Sequence, residues 1–105
     1  MSENEIKIPK HYRKIESKHP KVAQLHKELA DAAYAEGPLD AKTAHLIQLA
    51  AAAGIRSEGA VHSHARRALE AGATEAELRH AVILLTTTLG FPAVAAAMDW
   101  LNDLI

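Results

Sequence analysis

The chain contains no cysteine. That single absence removes disulfides, thiolate nucleophiles and cysteine-based zinc sites together. It also fits a reducing compartment, and with a polar, acidic start (Met1 to Glu5) unlike a secretory signal the expected location is the cytoplasm. Aromatic residues are scarce, at 4%. A surplus of basic charge is missing too: 12 Lys and Arg stand against 13 Asp and Glu, a formal net charge of −1. Nothing in that balance would hold a phosphate backbone, so no nucleic-acid partner is expected. Long apolar runs are missing as well. The longest, such as Leu49 to Ala53 and Phe91 to Ala97, fall far short of the roughly 20 residues that cross a bilayer, so no membrane role is expected.

Alanine makes up most of the apolar content. Hydrophobic residues are 49% of the 105, and small side chains allow close helix approach but fill little volume. A chain of this length buries roughly 60–65% of its unfolded surface, a marginal amount. The composition therefore points to burial completed between subunits.

The pattern along the chain is helical throughout. Residues 1–8 lack periodicity and read as a flexible arm, with a single helical domain over 9–105. Lys10 to Ser17 suits a short helix with Tyr12 and Ile15 as contacts, ended by His19-Pro20. Val22, Leu25, Leu29, Ala32 and Ala33 recur at helical spacing up to about Glu36, and Gly37-Pro38 breaks the chain. Asp40 is an expected N-cap for a central, mostly apolar helix, with Ala44, Ile47, Ala50 and Ala51 as one stripe thickened by Leu46, Leu49 and Ala53. Gly54 is expected to end it in the left-handed region. Ser57 caps the next helix and Gly72 closes it. Thr74 and Glu77 form a capping box for a helix expected to run unbroken to Gly90. Pro92 starts a last helix with Val94, Ala97, Met98 and Leu101 inward. The fold class is all-α, a compact bundle of five to six short helices.

Seven histidines are many for this length. His11, His19, His26 and His80 read as surface residues. His64 shares a helical face with Val61, Ala65, Ala68 and Ser57, which is the buried face. His62 lies about 200° around that helix from His64, so the two cannot ligate one metal within one chain. His62 reads as a surface or subunit-interface residue. His45, on the preceding helix, is polar among apolar neighbours and needs a partner if buried. Arg66 and Arg67 beside Glu70 read as a solvated or subunit-bridging charge patch.

Two stretches, Gly37 to Leu78 and Leu84 to Trp100, resemble the carboxymuconolactone decarboxylase and alkylhydroperoxidase D-like family. The Ala71-Gly72-Ala73-Thr74 turn followed by an acidic residue is the most characteristic piece. In redox-active members a glutamate precedes a Cys-x-x-Cys pair, and a histidine follows it. Laid onto this chain, the glutamate position is His45, the cysteine positions are Ser57 and Ala60, and the histidine is His64. Neither Ser57 nor Ala60 can attack a peroxide or resolve the product. Thiol peroxidase activity is therefore expected to be absent, and a peroxiredoxin label held at family level would not apply through a thiol. Peroxide consumption with a dithiol donor would contradict this.

The lactone decarboxylases of the family also lack the pair. The resemblance implies a lyase-type proton transfer on a small carboxylate or lactone, with His64 as base, His45 or Ser57 orienting it, and Arg56, Arg66 or Arg67 holding the carboxylate. The arginines are expected to lie off the His64 face, so that anchor is expected from a neighbouring subunit. Two alternatives stand beside it. One is a divalent transition metal on His45 and His64, completed by His62 or Glu58 of another subunit, although no cofactor is required by the sequence. The other is a non-catalytic oligomeric small-molecule binder. The resemblance further implies a homo-oligomer, a trimer or hexamer.

Overall fold

The computed structural model describes residues 10–105, with side chains from Tyr12 onward; the arm expected over 1–8 and the side chain of His11 lie outside the described residues. Among the described residues there are seven helices and no strand. They are α1 (Lys10–Lys18), α2 (Pro20–Ala35), α3 (Ala41–Gly54), α4 (Glu58–Glu70), α5 (Glu75–Ile83), α6 (Thr86–Leu89, a single turn) and α7 (Phe91–Asn102). The all-α class is thus as expected. The chain divides into two units, one up to Leu39 and one from Asp40 to Ile105; the domain expected over 9–105 spans both.

In the first unit α1 packs against α2. Pro20 opens α2, where its missing N–H costs nothing. The apolar stripe of α2 is real but uncovered: Val22 is 63% exposed, Leu25 52% and Leu29 69%.

In the second unit α3 packs along α4 and touches α5 and α7, so it is central as expected. The core consists of Leu49, Ala52 and Ala53 from α3, Val61, Ala65 and Ala68 from α4, Leu78 and Val82 from α5, and Val94, Ala97 and Leu101 from α7. Alanines dominate the α3–α4 seam, which lets the two backbones approach closely. The buried face of α3 differs from the expected stripe. Ile47 is 51% exposed and Ala51 is exposed, whereas Ala52, outside the expected stripe, is buried; Leu49 and Ala53 are buried as expected. A helix that is apolar on nearly every side gives periodicity no way to choose the inward face.

The helix ends follow local chemistry. Asp40 accepts a hydrogen bond from the Thr43 N–H at 2.8 Å. Thr74 and Glu77 exchange side-chain and backbone bonds in a complete capping box, and the other Glu77 oxygen takes Lys42 at 3.1 Å. Gly72 ends α4 at φ 101°, with the Ala73 N–H donating to Ala68 O and the Gly72 N–H to Leu69 O. This six-to-one and five-to-two pair is a Schellman ending. The same ending closes α3, but its left-handed residue is Arg56 (φ 58°), not Gly54. The Ser57 N–H reaches Ala52 O at 3.0 Å and the Arg56 N–H reaches Ala53 O at 3.1 Å. Gly54 remains inside the helix because the chain needs two more residues before Ser57 can start α4.

The helix expected to run unbroken to Gly90 is divided. Leu84 and Leu85 form a turn between α5 and α6, and the Thr86 hydroxyl donates to Ile83 O at 2.7 Å. The Leu85 N–H bonds back only three residues, to Val82 O. A threonine hydroxyl competing for a helix carbonyl is the kind of local bond that bends or breaks the ladder.

Candidate active site

Two imidazoles meet across the α3–α4 seam. His45 lies on the first turns of α3 and His64 in the second half of α4, and the pairing of these helices sets their Nδ1 atoms 3.4 Å apart. The ring centroids are 5.6 Å apart with planes at 32°. Both rings are half-buried. A hydrogen bond across that contact requires one Nδ1 to carry the proton and the other to accept it, and the tautomers decide which.

The electrostatics disfavour charge on either ring. Burial pushes His64 down to about 4, helped by His45, then Arg67, then Arg66. His45 is also lowered, first by burial and then by Arg67, while Glu70 pulls the other way. The pair is therefore neutral near pH 7. The linkage has a definite sign. An unfolded histidine takes up its proton near pH 6.5, whereas folded His64 waits until about 4. Stability is whole above pH 6.5, falls as pH drops from 6.5 toward 4, and levels off below that. For a partly exposed ring the screened loss is on the order of 1–2 kcal/mol. Urea titrations at pH 7 and pH 4.5 should show it, and the loss should shrink in His64→Gln.

Of the solvated or subunit-bridging patch expected from the sequence, the solvated alternative does not hold for Arg66. Arg66 is buried, at 9% exposure. Arg67 follows His64 by three residues, which places it on an adjacent part of the same helix surface, and its charge acts on both rings. The expectation that the arginines lie off the His64 face is corrected for Arg67, which is near enough for its charge to act on both rings. Arg67 and Glu70 were visible in the sequence at i+3 and i+6 from His64, but only the seam shows that both act on His45.

Ser57 holds two helix ends at once. Its N–H closes α3, and its hydroxyl accepts the Ala60 N–H at 3.3 Å to open α4. Ala60 is half-buried. His62 turns away from the pair, and its Nε2 lies 3.0 Å from both the Trp100 carbonyl and Asp103 Oδ2. His19, His26 and His80 are exposed. Among the described residues, no third His, Cys, Asp or Glu closes a three-ligand group on His45 and His64.

A groove of about 380 Å³ runs between α3 and α5, lined mainly by Leu46, Ile47, Ala50, Ala81, Leu84 and Leu85. It flanks His45 without including it, so the histidine pair lies on the seam and not within that groove. A family model described as the carboxymuconolactone decarboxylase family matches residues 20–103. No curated protein matches the chain.

Proposed function

The chain belongs to the carboxymuconolactone decarboxylase family, and on that premise we propose that it transfers a proton on a small carboxylate or lactone, with His64 as the proton carrier and His45 as its hydrogen-bonded partner. The observation that supports this is the 3.4 Å Nδ1 contact between two rings held neutral. With its Nδ1–H donated to His45, His64 offers Nε2 as the base. When Nε2 takes the substrate proton, the imidazolium is stabilised through the same bond, because a hydrogen bond to the charged form favours it.

A pKa of about 4 makes a weak base in the empty site. The substrate supplies the remedy. Burial depresses the ring first, the charged form of His45 and the two arginines add to it, and a bound carboxylate beside Arg67 would offset that cationic part. It would raise His64 toward the near-neutral value that a general base needs. Arg67 is the anchor in this reading. Ser57 acts by fixing the start of the helix that carries His64. Nothing in the step passes through a thiol, consistent with Ser57 and Ala60 at the cysteine positions.

The same reading makes the protein a homo-oligomer, a trimer or hexamer, in which a second copy encloses the seam. What supports it is uncovered apolar surface, including Leu29, Ile55 (76% exposed), Leu84 (63%) and Phe91 (67%). A divalent metal on His45 and His64 would need its third ligand from outside the described residues, as a second copy would supply.

The test is solvent exchange. A panel of small carboxylates and lactones incubated in deuterium oxide with the protein should show faster deuterium uptake beside the carboxylate or lactone carbonyl for at least one compound, read by proton NMR. Compounds that raise the melting temperature but show neither exchange nor turnover would replace the enzyme with a binding protein that keeps the family's shell without its chemistry.

A further inference from the structure

A second cluster lies on a different face of α4 from the histidine pair. Glu58 and His62 stand four residues apart on the first turns of α4, so both side chains project on one side of that helix. Asp103 follows directly after α7. The ligand atoms of Glu58, His62 and Asp103 all lie within 4.8 Å of one another. His62 Nε2 is 3.0 Å from Asp103 Oδ2 and equally 3.0 Å from the Trp100 carbonyl oxygen.

We propose that Glu58, His62 and Asp103 bind one divalent transition-metal ion of the zinc class, with the Trp100 carbonyl as a fourth donor, and that the ion ties the start of α4 to the end of α7. The simpler reading is a His62–Asp103 ion pair. One Nε2–H can be shared between two oxygens at 3.0 Å in a three-centre bond, so these two distances suit either reading. The ion pair gives no role to Glu58, whose ligand atom lies within 4.8 Å of those of His62 and Asp103.

Dimensions and chemistry agree with a cation. Ligands about 2.1 Å from a metal stand roughly 3.0–3.4 Å from each other, between octahedral and tetrahedral limits. The two His62 distances already meet that. Glu58 lies within 4.8 Å of the other two and is exposed, so its flexible side chain is free to close the remaining distance. One imidazole and two carboxylates form a mixed nitrogen–oxygen set carrying two negative charges, suited to zinc, cobalt or nickel rather than to calcium, which takes oxygen donors. The Trp100 carbonyl adds the negative end of the α7 dipole, and it also accepts the Asp103 N–H at 3.2 Å. Binding needs His62 neutral with its proton on Nδ1. From the neutral form this is a change of tautomer with no net proton release; from the charged form one proton goes to solvent. Asp103 is 57% exposed, so water can complete the coordination. Such a site would act through structure and not on the reaction at His64.

The experiment uses the full chain without a histidine tag, stripped with a chelator and titrated with zinc chloride by calorimetry, with cobalt absorption as a second readout. One equivalent should bind, and zinc should raise the melting temperature. His62→Gln and Asp103→Asn should each weaken binding by at least about tenfold, more than losing an outer-shell partner usually costs. Glutamine can still donate to Trp100 O, and circular dichroism of the metal-free variants checks the fold; should His62→Gln unfold, Asp103→Asn carries the test. The double variant His45→Gln/His64→Gln should keep the equivalent. The proposal is overturned by absence of saturable binding, by binding that survives both substitutions at His62 and Asp103, or by binding lost with His45 and His64.

Discussion

His64→Gln should lower turnover of any substrate found by exchange screening by roughly 10²- to 10⁴-fold, the usual contribution of a positioned acid–base group. Glutamine keeps the size and one hydrogen bond to His45, so the seam should hold while the transferable proton is lost. The loss should fall mainly on kcat, because the carboxylate anchor assigned to Arg67 remains. His45→Gln should do less, since it removes the partner and not the base, and it should move the pH profile of the remaining activity. His26→Gln, on an exposed face of α2, should change nothing. Turnover and pH profile unaltered in His64→Gln would remove His64 from the reaction and leave the family membership untouched.

Leu49→Ala should cost about 2–5 kcal/mol, the range for emptying a buried leucine site. Leu49 is completely buried at the centre of the α3–α4–α5–α7 core. About half of the rest of that core is alanine, which has no long side chain to collapse into the space. A domain of this size commonly holds only about 5–15 kcal/mol in total, so urea unfolding should shift to a much lower midpoint with an unchanged slope. Leu49 also stands four residues beyond His45 on one face of α3, so a cavity there loosens the ring pair as well as the core. Ile55→Ala, at 76% exposure, should by contrast change stability by no more than about 0.5 kcal/mol in the isolated chain. A large loss at Ile55 in the assembled protein would instead mark it as a subunit contact. Equal small losses at both positions would mean that the core described here is wrong.

Much of the fold was legible because it depends on local chemistry. Asp40, Ser57 and Thr74 cap the helices they were expected to cap, and Gly72 supplies the left-handed ending. Each acts within four or five residues, so sequence spacing is enough to find it. The readings that failed are those in which a local signal had competitors. Gly54 looked like the left-handed residue, but the bonds from Arg56 and Ser57 put the reversal two positions later. The period through Leu85 and Leu89 suggested one helix, and a single hydroxyl bond from Thr86 accompanies its division. Ile47 and Ala51 sit on the expected stripe and are exposed, whereas Ala52, off it, is buried. Only contact with α4, α5 and α7 distinguishes them.

The site divides in the same way. The sequence by itself determined the helical class, most of the helix ends, the absence of any thiol, and the separation of His62 from His64, because the angle between two residues on one helix follows from their spacing alone. The tertiary structure decided everything that joins residues on different elements. It set His45 against His64 at 3.4 Å, brought Arg67 and Glu70 of α4 to bear on His45 of α3, buried Arg66, and turned His62 toward Trp100 and Asp103 at the far end of the chain. Those contacts depend on the register and facing of packed helices. In an alanine-rich chain, where many faces are equally apolar, register and facing are fixed by how the whole set of helices packs and not by any one stretch of residues.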